Sequence, residues 1–256
     1  MRKSEGYPLP VLEIATKEDV PEIVDQMIAA SSNNNLILQL RYPSPEHLAK
    51  MDIRMRKVFT SMIEAPDYIM LKAVDPETKV IAATAAWQFV HFKDAELASV
   101  TGRKQHADER LVMQPQVIIA AGLVLNDGTS DQDETGGPTI WDVIEEAYQK
   151  FIKAWMGSTK SIYLASLSTH PRFQRRGIGT ALLTWGHELA DKHGVPSFLV
   201  STPFGHPLYE HLGWRDVERP LKLELQKWAP YASNGDMGWG TFKYYYMLRM
   251  PKNAIV

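Results

Sequence analysis

The stretch Gln174-Arg-Arg-Gly-Ile-Gly179 sets a glutamine, two arginines and two glycines between two legible elements. Before it runs an apolar segment, Ile162 to Leu167, that reads as a buried strand. After it, Ile178, Leu182, Trp185 and Leu189 recur at helical spacing. Pro171 turns the chain between the two. Glycines in a helix-opening turn let a ligand approach the backbone closely. The first N–H groups of a helix have no internal partner and carry the positive end of the helix dipole, so they suit a phosphate. Arg175 and Arg176 add positive charge beside them. Gly, four residues and Gly-Lys-Ser/Thr, the nucleotide-loop pattern, does not occur in the chain. The dinucleotide fingerprint fails because Leu182 stands where its third glycine belongs. The pattern that remains is Gln/Arg-x-x-Gly-x-Gly/Ala, matched by Gln174, Gly177 and Gly179.

This pattern resembles the pyrophosphate loop of the GCN5-related N-acetyltransferases, and the surrounding Leu167-Ser-Thr-His-Pro-Arg-Phe-Gln-Arg-Arg-Gly-Ile-Gly-Thr-Ala-Leu-Leu183 is similar along its length. A second segment, Pro207-Leu-Tyr-Glu-His-Leu-Gly-Trp214, is similar to the family's Leu-Tyr-x-x-x-Gly-Phe segment, with Trp214 in place of phenylalanine. Together with Ser201-Thr-Pro-Phe-Gly205 it looks most like the subgroup common in filamentous fungi. The resemblance covers Ser161 to Met250 closely and Val11 to Val90 loosely.

The resemblance implies an α+β fold with a central, mostly antiparallel sheet. That sheet splays between its fourth and fifth strands, carries helices on both faces, and has a helical insertion between its third and fourth strands. It implies acetyl-CoA as co-substrate, with its pantetheine arm filling the splay like a short strand. Leu167, Ser168 and Thr169 would then offer main-chain groups to the pantetheine and the acetyl carbonyl. Gln174 would start the turn, and Arg175, Arg176, Gly177, Ile178, Gly179 and Thr180 would offer N–H groups to the pyrophosphate. Tyr209 matches the family tyrosine near the coenzyme sulfur. A phenol titrates near pH 10, so it is protonated at neutral pH and suits a general acid. The implied reaction is direct attack of a primary amine, here of a small molecule, on the thioester in a ternary complex. A non-catalytic acyl-CoA sensor and a protein N-terminal or lysine acetyltransferase stay open as alternatives. No general base is visible. Many relatives carry a glutamate on the fourth strand, whereas Ile162 to Ser168 holds no carboxylate. His91, His170 and His206 are candidates by their titration range alone.

The elements that must position these residues follow in order. Val11 to Ile14 reads as a first strand. Thr16 and Asp19 offer capping groups, and Val20, Ile23, Val24, Met27 and Ile28 repeat at helical spacing. Pro45 to Met62 reads as a second helix. Tyr68 to Val74 and Val80 to Val90 read as a hairpin around Asp75-Pro-Glu-Thr78, although the second strand is rich in alanine. Residues 91 to 160 are expected to be a family-specific insertion in a single domain spanning 1 to 256. Within it, Lys93 to Arg110 is a helix or exposed loop, and Val117 to Leu125 a strand or buried helix. Asn126 to Pro138 is a polar surface loop, and a helix is capped by Thr139 with Asp142. Ser197 to Ser201 reads as the fifth strand, Leu208 to Leu212 as a short helix, and Trp214 to Leu225 as a strand that Pro220 confines to an edge or bulge. Lys227 to Gly240 is a loop holding Trp228, Tyr231 and Trp239. Phe242, Tyr244, Tyr246, Leu248 and Met250 alternate as a last strand.

Bulk properties bound the rest. The chain has 256 residues, 45% hydrophobic, with a formal net charge of -2. That charge supplies no global attraction to nucleic acid or to an anionic membrane. The absence of cysteine excludes disulfides, thiolate metal sites and a cysteine nucleophile. No paired-histidine spacing lies on a firm helix, so no metal is expected. No secretory signal opens the chain, and the longest apolar run is too short to span a bilayer, so a cytoplasmic protein is expected. The oligomeric state and the amine are not readable.

Overall fold

The computed structural model describes residues 10–31, 45–102, 118–119, 122–123, 139–228 and 240–252. In chain order these form β1 (Val11–Ile14), α1 (Val20–Ser31), α2 (Pro45–Glu64), β2 (Tyr68–Val74), β3 (Ile81–Val90) and α3 (Asp94–Thr101). There follow β4 (Ile118–Ile119), β5 (Gly122–Leu123), α4 (Ile140–Phe151), β6 (Ser161–Thr169), α5 (Ile178–His193) and β7 (Ser197–Ser201). The chain closes with α6 (His206–His211), β8 (Arg215–Asp216), β9 (Leu221–Glu224) and β10 (Thr241–Arg249).

The main sheet runs β1-β2-β3-β6-β7-β10-β8, with β9 also paired to β10. Its pairs are antiparallel except β6 with β7. The parallel pair is short: Ile162, Tyr163 and Leu164 oppose Ser197, Phe198 and Leu199. β6 then continues to Thr169 against β3 alone. The β3–β6 register also slips here, because Leu164 opposes Trp87 while Ser166 opposes Ala86, leaving Ala165 as an extra residue. Such a bulge bends and twists its strand. The sheet therefore opens where the sequence expects, between its fourth and fifth long strands.

Each face of the sheet has its own core. One packs α1, α2 and α4 through Ile23, Val24, Met55, Phe59, Ile144 and Phe151. The other packs α5 and α6 through Ile178, Leu182, Leu183 and Tyr209. The alanines of β3 are explained by this sandwich. Ala82, Ala83, Ala85 and Ala86 are fully buried, and small side chains let helices lie close on both sides. Packing thus overrides weak strand propensity. Across from them, Gly186 in α5 makes room for Trp87: a Cβ at Gly186 would fall 2.2 Å from the indole. The buried stripe of α5 accordingly runs through Leu182, Leu183, Gly186, His187 and Ala190, while Trp185 and Leu189 are only partly buried.

The chain between β3 and β6 carries α3, the two-residue pair β4–β5 and α4. Thr139 caps α4 as expected: Asp142 N–H donates to its hydroxyl at 3.3 Å, and Asp142 Oδ2 accepts from Thr139 N–H at 2.6 Å. The expected readings for 103–117, 126–138 and 229–239 lie outside the described residues. Two strand expectations need correction. Trp214 to Leu225 is not one strand but β8 and β9, interrupted before Pro220, which lacks the N–H a continuous ladder needs. The alternation of β10 fails past Tyr246, where Met247 and Arg249 are buried and Met250 is 56% exposed. β10 is a central strand there, between β7 and β8, and Arg249 is buried by a two-pronged bond to Asp191 at 2.9 Å. No described helix is long and apolar enough to cross a membrane.

Candidate active site

The loop from β6 to α5 is held by its own side chains. Pro171–Phe173 form a single tight turn. His170 Nδ1 accepts from Arg172 N–H at 3.2 Å, and the His170 ring meets Phe173 edge-on at 5.8 Å. His170 is thereby a cap for this turn. Gln174 Nε2 donates to the Thr169 carbonyl at 3.1 Å, closing the loop onto the end of β6. Arg176 lies over the Phe173 ring at 5.3 Å.

The backbone after Gln174 alternates hand. Arg175 has φ 64° and Gly177 φ 79°, with Arg176 between them outside the left-handed region. Alternation of this kind turns successive N–H groups to one side and makes an anion-binding concavity. The first bond inside α5 runs from Ala181 N–H to Gly177 O at 3.0 Å, so the N–H groups of Ile178, Gly179 and Thr180 precede the helical ladder. Ile178 anchors the helix start through a side chain 1% exposed. A Cβ on Gly179 would sit 3.6 Å from Leu208, 3.9 Å from Thr169 Oγ1 and 4.0 Å from Leu167. Gly179 therefore faces the narrow space between the end of β6 and α6.

Tyr209 follows Leu208 on α6 and is its buried residue. Its ring packs against the bare backbone of Gly205, where a Cβ would come within 2.9 Å of it, and stands edge-on to Trp214 at 6.1 Å. Trp214 is fixed in turn, its Nε1–H donating to His187 Nε2 at 2.9 Å. Burial, and then the Tyr163 phenol, push the Tyr209 hydroxyl well above the ordinary tyrosine range. It stays neutral and keeps its proton.

The structure thus brings Leu167, Thr169, Gly179 and Leu208 around one narrow space, with the Gln174–Thr180 loop leading into it. Ser168 is different. Its side chain turns to the opposite face, where Ser168 Oγ donates to Gln26 Oε1 at 2.9 Å and lies 3.2 Å from Thr84 Oγ1. Only its main chain is available to the loop side. Two of the candidate histidines have partners of their own: His206 Nε2 lies 2.9 Å from Asp216 Oδ1 with its ring tilted against Tyr245 at 4.0 Å, and His91 Nε2 lies 2.9 Å from the Gly157 carbonyl. The partners of Ser168 on that face, Gln26 and Thr84, lie far from the motifs along the chain and belong to no sequence pattern.

Comparison with known proteins finds likenesses of sequence and of fold. Residues 137–216 match the model of the acetyltransferase (GNAT) domain. An uncharacterized N-acetyltransferase of Schizosaccharomyces pombe is 35% identical over 54 residues, 21% of this chain and 23% of that protein. The matched stretch thus spans about a quarter of the curated relative. A structure described as histone acetyltransferase HPA2 and related acetyltransferase, from Corynebacterium glutamicum, superposes with a TM-score of 0.52 at 19% identity, covering 97% of this chain and all of that one. Mosquito arylalkylamine N-acetyltransferase like 5b superposes with a TM-score of 0.53 at 12% identity, covering 94% and 99%.

Proposed function

We propose that the chain is a GCN5-related N-acetyltransferase and that it transfers the acetyl group of acetyl-CoA to the primary amine of a small molecule; the match of residues 137–216 to the acetyltransferase (GNAT) domain supports this reading. The observation that carries the reading is the opening between β6 and β7, rimmed by the N–H groups of α5 and backed by Tyr209. The main-chain groups of Leu167, Ser168 and Thr169 line one side of this opening, where an amide-bearing arm finds backbone partners. The N–H groups from Arg175 to Thr180 suit the pyrophosphate, and the glycines admit it.

Within a ternary complex the neutral amine attacks the thioester carbon. The C–N bond forms, the C–S bond breaks, and the leaving sulfur takes a proton from Tyr209. The phenol regains a proton from the nitrogen by way of solvent. A thiolate withdrawn from water in the opening has its own pKa raised, which narrows the gap to the buried phenol. An intact acid at this place favours catalysis over mere binding of an acyl-CoA. A small acceptor is favoured because α1 crosses β6 at Ser168 and is tied to it through Gln26, which blocks that face to a long peptide.

The test is a screen of primary amines and peptides that measures coenzyme A release and product mass together. Acetylated small amines are expected. Acetylation confined to peptides would overturn the acceptor class, and release of coenzyme A without any acetylated product would overturn amine transfer.

A further inference from the structure

Two lysines on the β9–β10 pair face each other without a counter-charge. Lys222 of β9 and Lys243 of β10 are direct partners in the antiparallel register. Side chains at such a pair leave the same face of the sheet, with their Cβ atoms about 5 Å apart, and like charges so placed repel. Lys222 is exposed and Lys243 half-buried, so both meet solvent. Among the described residues neither side chain has an ion pair or a hydrogen bond. The carboxylate two residues along from Lys222, that of Glu224, is paired with Lys227 at 2.8 Å instead. The net charge of the chain is -2, so this bare pair of cations is a local feature and not part of a generally positive protein.

The fold puts this pair beside the opening. β6 and β7 part after Leu164 and Leu199, so Val200 and Ser201 border the opening on its β7 side. On the other edge of β7, Ser201 pairs with Tyr245 of β10. Lys243 precedes Tyr245 by two residues. It therefore stands about 7 Å beyond the end of β7, on a neighbouring strand about 5 Å away. Residues two apart on a strand also share a face. Tyr245 turns to α6, where its ring lies 4.0 Å from that of His206, so Lys243 and Lys222 turn to the α6 side too. The N–H groups that open α5 follow β6, on the other flank of the opening. One flank thus offers backbone donors and the other two ammonium groups.

We propose that Lys222 and Lys243 form an anion subsite for the acceptor, and that the acceptor is a small primary amine carrying a carboxylate or phosphate at its far end, such as an ω-amino acid. This rests on the acetyltransferase reading and deepens it. The amino group meets the thioester in the opening, while the anionic oxygens lie between the two ammonium groups at its β10 corner. Both positive charges are then compensated, and the repulsion within the register becomes a preference for an acidic acceptor. The pair binds and orients, and takes no part in the bond changes of the transfer.

The test compares a short series of ω-amino acids, from glycine to 6-aminohexanoate, with their amides at saturating acetyl-CoA. The wild type is expected to favour at least one acid over its amide by about fivefold in kcat/KM. Acid and amide also differ in the basicity of the amine, so the deciding quantity is the change of their ratio between proteins. In the double variant Lys222→Gln with Lys243→Gln that ratio should fall by about fivefold, through the KM of the acid. In Lys243→Glu it should fall further. Salt at about 0.5 M should shrink the wild-type ratio towards that of the double variant. The melting temperature of the double variant should stay level or rise, since a repulsion is removed. A ratio that is the same in wild type and double variant would overturn the proposal. If acetyl-CoA affinity falls in that variant while the ratio stays, the pair serves a phosphate of the coenzyme, and the proposal is overturned as well. Acetyl transfer confined to amines without an acidic group would sink the subsite and leave the acetyltransferase reading standing. A wild type that fails to bind acetyl-CoA would remove that reading and this assignment with it.

Discussion

Gln174 donates its side-chain amide to the carbonyl of Thr169 at 3.1 Å, so the residue that opens the loop motif also pins that loop to the end of β6. The bond couples the backbone that we propose holds the pyrophosphate to the strand that borders the opening. Loss of one such bond is worth about 1 kcal/mol, or about fivefold in an equilibrium constant. Gln174→Leu should weaken acetyl-CoA binding by about that factor, read by calorimetry, with the melting temperature nearly unchanged. Unaltered affinity would mean that the loop holds its shape without this tie.

Tyr209→Phe keeps the ring that packs on Gly205 and Trp214 and removes only the hydroxyl. General acid assistance is worth about 10²–10⁴-fold. The variant should lose kcat by a factor in that range, under conditions where chemistry limits turnover, while its acetyl-CoA affinity stays intact. Full kcat between pH 6 and 9 would make Tyr209 a packing residue.

His187 supplies a pH signature of the fold. Its Nε2 accepts from Trp214, so the ring must be neutral. Burial first, then the positive charges of Arg249 and Lys252, push it from 6.5 to about 4, with Asp191 acting in the other direction. Between these values the unfolded chain binds a proton here that the folded chain does not, so stability falls as pH drops from about 6.5 to about 4. Urea midpoints at pH 7 and pH 5 should differ less in His187→Gln, which keeps an acceptor and cannot titrate. An unchanged difference would locate the pH dependence in other groups.

What the sequence discloses is what is local. Gln174, Gly177 and Gly179 act within one turn, and Thr139 with Asp142 within one helical turn, so spacing alone exposes them. The contact of α1 with β6 is built otherwise. Ser168 and Gln26 meet across 142 positions, and neither belongs to a pattern until α1 is laid on β6. The glycine at 186 likewise looks like a weak point in a helix until Trp87 is seen to fill the space. The alternation expected for β10 breaks because the strand is covered on both edges and carries the Arg249–Asp191 pair, facts of tertiary neighbours and not of period. The sequence reads Trp214 to Leu225 as one strand, whereas the chain splits there into β8 and β9 with Pro220 in the gap.

The most direct test of the whole account is an acetyl-CoA titration of the wild type and of Gly179→Val. The Cβ at Gly179 would meet Leu208, Thr169 and Leu167 only at ordinary contact distances, 3.6 to 4.0 Å, so the fold should survive the substitution. The two added methyl groups, however, extend into the space between β6 and α6 that the proposed pantetheine path crosses. The account predicts saturable binding at one site in the wild type and its loss in a variant with an unchanged circular dichroism spectrum. A folded Gly179→Val protein that binds acetyl-CoA as tightly as the wild type would contradict it.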